Sequence, residues 1–168
     1  MDKLGIYFYN GTGALASAKL SYKGMIVMSD LDETIRINNQ RIMEDWIAAL
    51  NNLISQVKQW VSSFPQKDRI GAVELMVNKS EEPVGEYQAP MLIFTTDQTP
   101  IEVCPVGRFA IGSIGRVDIT NHKRSFSLLY SKSKGWVSLD QRKPLTEELF
   151  KQIFDELYVT GDPEPELH

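Results

Sequence analysis

An apolar stripe with helical spacing runs through residues 39–64 and constrains the fold more than any other feature of the chain. Its members recur at alternating intervals of three and four residues: Met43, Trp46, Leu50, Leu53, Val57, Trp60 and Phe64. One flank of the stripe is widened by Ile47, Ile54 and Val61. On an α-helix all of these side chains share one face. The pattern therefore predicts a long amphipathic helix over residues 39–64 that needs a partner surface.

Most of the remaining chain reads as short β-strands separated by turn residues. The predicted strands lie at residues 6–9, 14–20, 24–28, 35–37, 71–77, 91–95, 101–104, 107–112, 115–119, 125–131 and 136–139. Residues 30–34 are predicted as a polar turn and residues 79–89 as a polar loop. Because short turns join the later strands, the spacing favours an antiparallel meander over βαβ units.

A second helix is predicted at residues 146–158, beginning at Thr146 with Glu147 and Glu148 in its first turn. The acidic segment 161–168 is predicted to be a disordered tail. Together these elements predict an α+β fold, organised as a single domain at residues 1–160. In this fold a twisted antiparallel β-meander of six to nine strands carries the long amphipathic helix across one face, with the shorter C-terminal helix beside it.

Composition narrows the classes of function. The chain of 168 residues is 42% hydrophobic and 24% charged, with a net charge of −4, so nucleic acid and anionic membranes are not expected partners. A single cysteine, Cys104, excludes an intrachain disulfide and a cysteine-rich metal site. The N-terminus lacks a signal-peptide pattern, and no apolar run approaches a membrane span. We therefore expect a cytoplasmic protein.

Basic residues are concentrated in the β-rich region. Residues 101–143 carry eight Lys and Arg against three Asp and Glu. Arg108, Arg116, Lys123 and Arg124 are the candidate ligand-binding residues, because the planar guanidinium group matches carboxylate and phosphate oxygens. The alternative is that these are outward-facing strand and turn residues, with Asp118 as an ion-pair partner.

Residues 24–34, with the sequence GMIVMSDLDET, resemble the first motif of the haloacid-dehalogenase-like phosphatases, an apolar strand that ends in Asp-x-Asp-x-Thr. The resemblance implies that Asp30 is a nucleophile, that Asp32 is the general acid/base, and that both bind Mg²⁺. Residues 92–95 and 158–162 are similar to later motifs of that family. The alternative is that residues 30–34 form a hairpin turn between two strands.

The favoured function is a non-catalytic binding or regulatory domain without a cofactor. Such a domain would recognise a protein partner or a small anionic ligand through the sheet surface or a pocket. One alternative is the Mg²⁺-dependent phosphatase that uses Asp30 and Asp32. The other is a structural homodimer joined through a helix or a strand edge. The two histidines, His122 and His168, offer little material for a Ser-His-Asp or Cys-His mechanism.

Overall fold

The computed structural model describes residues 5–9, 15–19, 28–82, 84–107 and 115–160. Contacts divide the chain into two compact units, Met1–Ile42 and Met43–His168, and each is described by itself below. A single domain at residues 1–160 stays a prediction. The predicted disordered tail lies outside the described residues.

The first unit contains a pair of short antiparallel strands, β1 (Gly5–Tyr9) and β2 (Leu15–Lys19). Gly5 lies opposite Lys19, and Tyr9 lies opposite Leu15. The first two predicted strands are therefore confirmed. The predicted turn between them and most of the predicted strand at residues 24–28 lie outside the described residues.

Helix α1 (Met28–Val61) begins well before residue 39, where the sequence pattern predicted its start. The predicted turn at residues 30–34 and strand at residues 35–37 are both wrong, because these residues are helical. Local side-chain bonds fit the helix: Thr34 Oγ1 donates to the Asp30 carbonyl oxygen at 2.7 Å, and Arg36 pairs with Glu33 at 2.6 Å. Asp30 lies in the first turn, where the helix dipole favours a negative charge.

The C-terminal end of α1 is tighter than predicted. The helix ends at Val61, and the chain continues in turns in which Ser63 N donates to Trp60 O and Phe64 N to Val61 O, both at 3.0 Å. Such i to i−3 bonds are typical of the last turn of a helix, and Pro65 then prevents its continuation. Phe64 nevertheless stays buried, as the stripe requires.

The second unit contains a six-stranded antiparallel sheet in which each strand pairs with the next along the chain. Its strands are β3 (Gly71–Glu81), β4 (Gly85–Thr95), β5 (Ile101–Gly107), β6 (Gly115–Thr120), β7 (Ser125–Ser131) and β8 (Gly135–Ser138). The predicted meander is confirmed. The predicted strand at residues 107–112 reaches the described chain only at Gly107, which ends β5.

The predicted polar loop at residues 79–89 is wrong, because β3 and β4 continue through it as a long hairpin. The pairing runs without a break from Gly71 opposite Thr95 to Glu81 opposite Gly85. Polar residues face each other on this extension, and Gln88 Nε2 donates to Asn78 Oδ1 at 3.3 Å. One face of this extension is exposed, and on its other face the half-buried Lys79 and Glu81 are charged, so the extension lacks the apolar alternation by which strands are recognised in sequence.

The core of the second unit lies between one face of the sheet and the apolar face of α1, as the stripe predicted. Alternate residues of the strands point into it, a pattern that is clear along β5 and β6. The buried residues of α1 are Trp46, Ala49, Leu50, Leu53, Ile54, Val57 and Val61. Their partners on the sheet include Leu92, Phe94, Ile101, Val103, Val117, Ile119 and Leu128.

Helix α2 (Glu147–Thr160) packs on the same core. Thr146 is its N-cap residue, since Thr146 Oγ1 accepts a hydrogen bond of 3.2 Å from Leu149 N. The ring centre of Phe154 lies 5.6 Å from that of Phe94 on the sheet and 5.5 Å from that of Phe64 in the turn after α1. The predicted shorter C-terminal helix is thus confirmed, together with the α+β class.

Candidate functional site

The two edges of the six-stranded sheet differ in how they end. At the β8 edge the following segment continues the hydrogen bonding: Ser138 N donates to Lys143 O at 2.8 Å, and Leu145 N donates to Trp136 O at 2.9 Å. Val137 also forms a bridge with Pro144. The chain therefore covers the main-chain groups of this edge itself.

The β3 edge is open in the described part of the chain. β3 is the first strand of the sheet, and β4 is the strand that pairs with it among the described residues. Strand β3 is 11 residues long and contains no proline. Natural proteins usually protect such an edge with prolines, bulges or charged side chains, because unpaired main-chain groups invite another strand. The charges of β3 beyond its first half are Lys79 and Glu81. Glu74, the one charge in the first half of β3, is paired with Lys58 of α1 at 2.7 Å.

Large apolar side chains are exposed along this edge. The exposed fractions are 44% for Val73, 45% for Leu75 and 56% for Met76. Val73 lies opposite Ile93 of β4, on the sheet face away from the core, whereas Met76 projects to the α1 side. The edge is therefore apolar on both of its faces, and a strand added there would remove this area from water.

A groove of about 320 Å³ lies on the α1 side of the edge, where the end of α1 passes the start of β3. Its lining residues are Lys58, Val61, Ser62, Lys67, Asp68, Ile70, Gly71, Ala72 and Phe94. The groove therefore combines an apolar floor with two lysines and one aspartate at its rim. Its position beside β3 means that a strand paired with β3 would place alternate side chains over it.

Arg116 and Arg124, two of the predicted ligand-binding residues, are paired within the chain. Arg116 Nε and Nη2 donate to the two oxygens of Asp118 at 2.8 and 2.9 Å, and Ser127 Oγ donates to Asp118 Oδ1 at 2.7 Å. The hydrogen bond to Asp118 raises the pKa of Arg116. Arg124 Nη1 lies 2.8 Å from Glu156 Oε2, and its guanidinium carbon is 5.0 Å from the centre of the Phe126 ring.

These basic residues do not form one cluster. Arg116 lies near the start of β6, while Lys123 and Arg124 lie in the turn after its end. Lys123 is exposed, and Arg108 lies outside the described residues. Asp118 forms an ion pair with Arg116, which is the pairing that the alternative interpretation of the sequence predicted. Anion binding at these residues stays a prediction.

The acidic motif lies in a different setting from the one that its resemblance implies. Asp30 and Asp32 are exposed residues in the first turns of α1, so they lie within a helix and not in a hairpin turn. Residues 92–95 belong to the antiparallel β4, and Tyr158 belongs to α2. In the described ranges, no group of three or more His, Cys, Asp or Glu could hold a metal ion. The catalytic and Mg²⁺-binding roles of Asp30 and Asp32 stay predictions.

The open edge is the feature that sequence reasoning missed. In the sequence, the feature that distinguishes this edge is Met76, an apolar residue between Leu75 and Val77 that interrupts the alternation of residue types along the strand. A continuous apolar run usually indicates a strand that is buried on both faces. Here the same run lies at the edge, where both faces are exposed.

Comparisons with models of protein families, with curated proteins and with solved structures gave no match. The geometry of this chain is therefore the basis for a functional proposal. Among the described helices, none is both long enough and apolar enough to cross a membrane.

Proposed function

We propose that the chain is a non-catalytic binding domain that recognises a protein partner by pairing an extended strand of that partner with β3. This is the protein-binding half of the function favoured by the sequence. The observation that carries the proposal is the open 11-residue edge, with Val73, Leu75 and Met76 each exposed by 44% or more. In this mode of recognition, main-chain hydrogen bonds provide affinity and alternate side chains provide specificity.

The contrast between the two edges supports the proposal. The chain covers the β8 edge with residues 143–145 and leaves the longer β3 edge without a comparable cover in the described ranges. The ion pair with Lys58 also offsets the charge of Glu74, the one charged residue in the first half of β3. Both features favour strand addition at β3 over addition at β8.

The groove beside β3 supplies a place for side chains of the partner. Val61, Ile70 and Ala72 form an apolar surface there, and Lys67 and Asp68 lie beside it together with Lys58, which is paired with Glu74. A partner strand with small apolar residues on its groove side fits this lining best, since burial of apolar surface contributes about 25 cal/mol per Å². Ordered main-chain bonds to β3 would fix its direction and register.

A labelled synthetic peptide with the sequence of residues 70–82 provides a probe strand for this edge. A second probe is a soluble peptide of alternating valine and lysine, which forms strands but copies no segment of the chain. We expect the fluorescence anisotropy of at least one labelled peptide to rise on titration with the protein. Control peptides with proline at alternate positions should not bind, because they cannot donate the required main-chain hydrogen bonds.

A protein variant locates the binding. Leu75→Lys places a charge on the exposed edge, and Ile37→Lys on α1 is its matched control, because both side chains are 45% exposed in the native chain. We expect Leu75→Lys to weaken peptide binding at least about tenfold and Ile37→Lys to leave it unchanged. Failure of both probe strands to bind, or equal effects of the two variants, would contradict the proposal.

A further inference from the structure

We infer that the strand taken up by β3 is β3 of a second copy, which joins two sheets into one antiparallel sheet about a two-fold axis; this inference rests on the proposed function. A two-fold interface uses the same surface on both partners. In antiparallel pairing about an axis normal to the sheet, residues directly opposite each other lie on the same face. The axis must therefore lie midway between the two copies of one residue of β3. The identity of that residue determines every other pair across the interface.

Met76 is the residue that best fits the axis. It is the most exposed of the large apolar residues of β3, at 56%, and pairing it with its own copy would cover it. Leu75 then lies opposite the Val77 of the second copy, so the apolar residues of the outer face also meet. An axis at Glu74 would instead place two carboxylates directly opposite each other, which destabilises a cross-strand pair.

Charge complementarity at the two ends of the interface supports the same register. With the axis at Met76, Gly71 lies opposite Glu81 of the second copy, and Ile70 lies beside its Glu82. Ile70 and Gly71 line the groove that carries Lys58 and Lys67, together with Asp68. Glu81 is bonded to Tyr87 of its own chain, and Lys58 is paired with Glu74. The complementary charges at each end of the dimer are therefore the exposed Glu82 of one copy and the exposed Lys67 of the other.

Lys79 of one copy lies opposite Val73 of the other in this register. Lys79 Nζ donates to Val106 O of β5 at 3.4 Å, so its side chain reaches across β4 and away from the added strand. The lysine charge is therefore directed away from the exposed valine. Strand direction, apolar contacts and charges are thus all compatible with an axis at Met76.

Disulfide cross-linking tests both the occupant and the register. In a Cys104→Ser background, Met76→Cys places two thiols opposite each other at the axis, where Cα atoms are roughly 4.5–5.5 Å apart and a disulfide can form. Val73→Cys is the control, because the two copies of residue 73 would lie about 20 Å apart along the strands at about 3.3 Å per residue. We expect mild oxidation to give a covalent dimer with Met76→Cys and none with Val73→Cys.

Sedimentation equilibrium on the unmodified chain gives an independent measurement. We expect a dimer in the high micromolar range, with Met76→Lys raising the dimer dissociation constant at least about tenfold and Ile37→Lys leaving it unchanged, because two lysines would meet at the axis. Circular dichroism should show that both variants are folded. A monomer throughout that range, or cross-linking through Val73→Cys in preference to Met76→Cys, would overturn the inference.

The outcomes also separate this inference from the proposed function. A monomeric protein that still binds a probe strand at β3 would retain the binding domain and exclude the second copy as its occupant. A monomeric protein that binds neither probe strand would exclude both.

Discussion

The side-chain amide nitrogen of Asn121 donates a hydrogen bond of 2.8 Å to the main-chain carbonyl oxygen of Leu157. Asn121 is fully buried, and its side-chain oxygen accepts bonds from Lys123 N at 3.0 Å and Arg124 N at 2.8 Å. One residue thus shapes the turn between β6 and β7 and joins that turn to α2. The sequence predicted the turn but not the bond to the helix.

We expect Asn121→Ala to lower the free energy of unfolding by about 1–3 kcal/mol, because buried main-chain groups would lose their partners. Lys123→Ala is the matched control in the same turn and should change stability by less than about 0.5 kcal/mol, since Lys123 is exposed. Urea unfolding measures both values. Equal stability of the two variants would show that the Asn121 bonds contribute nothing measurable.

Gly115 lies against the indole ring of Trp46. A Cβ at this position would approach ring atoms of Trp46 to 2.7 Å and the Gly107 carbonyl oxygen to 2.9 Å. Gly115→Ala should therefore destabilise the fold by about 1–3 kcal/mol, as overpacking of a core does. Thermal unfolding measures the effect.

A second substitution checks the cause of that effect. In a Trp46→Leu background the ring is absent, so Gly115→Ala should cost less than it does in the native chain. A double-mutant cycle gives the coupling between the two residues. An additive result would mean that Gly115 and Trp46 do not restrict each other.

Asp97, in the turn between β4 and β5, should make the stability of the fold depend on pH. A hydrogen bond from the Tyr158 hydroxyl and the charge of Arg69, whose Nη1 lies 3.3 Å from Asp97 Oδ2, hold the pKa of Asp97 below its usual value. A carboxyl whose pKa is lower in the folded state stabilises the fold above its unfolded-state pKa, and this stability is lost as pH falls through the folded-state pKa.

We therefore expect the native chain to lose more thermal stability on acidification through the aspartate range than Asp97→Asn does. Tyr158→Phe should have an intermediate dependence, because it removes the first cause of the lowered pKa and retains Arg69. Melting temperatures measured from neutral to strongly acidic pH give the comparison. Parallel curves for the native chain and Asp97→Asn would contradict this assignment.

The thiol of Cys104 should react slowly. Partial burial on the outer face of β5 raises its pKa; the charge of Lys79 acts against this rise, and the carboxylates of Glu102 and Asp118 add to it. Since the thiolate is the reactive form, we expect the rate of reaction with a chromogenic disulfide to reach half its maximum at a higher pH than for free cysteine. The Cys104→Ser variant has no thiol and gives the background rate. A rate profile at or below that of free cysteine would contradict the prediction.

The helices show which parts of this fold the sequence could predict. Leu50, Leu53 and Val57 are buried because their spacing matches the helical period, so the sequence predicted both their helix and its buried face. Residues 28–38 carry no such stripe, and Ile35 and Ile37 are both exposed in the helix. Without burial on one face, the residue pattern does not separate a helix from a turn and a short strand.

The candidate site shows a different limit. The meander order could be predicted from short turns, and it places β3 at an edge of the sheet. Whether that edge is covered depends on segments that are distant in sequence, such as residues 143–145 at β8. The ion pair of Arg116 with Asp118 was easier to predict, because residues two apart on a strand share a face.

Hydrogen exchange of the main-chain amides of Gly71–Glu81 tests most directly whether β3 takes up another strand. At an open edge about half of these amides lack a partner and exchange quickly, whereas a paired strand protects them. We predict that deuterium uptake in β3 falls as the protein concentration rises from low to high micromolar, while uptake in β8 stays constant. Unchanged uptake in β3 across this range, with and without the probe peptides, would contradict the central claim that this edge is a binding surface.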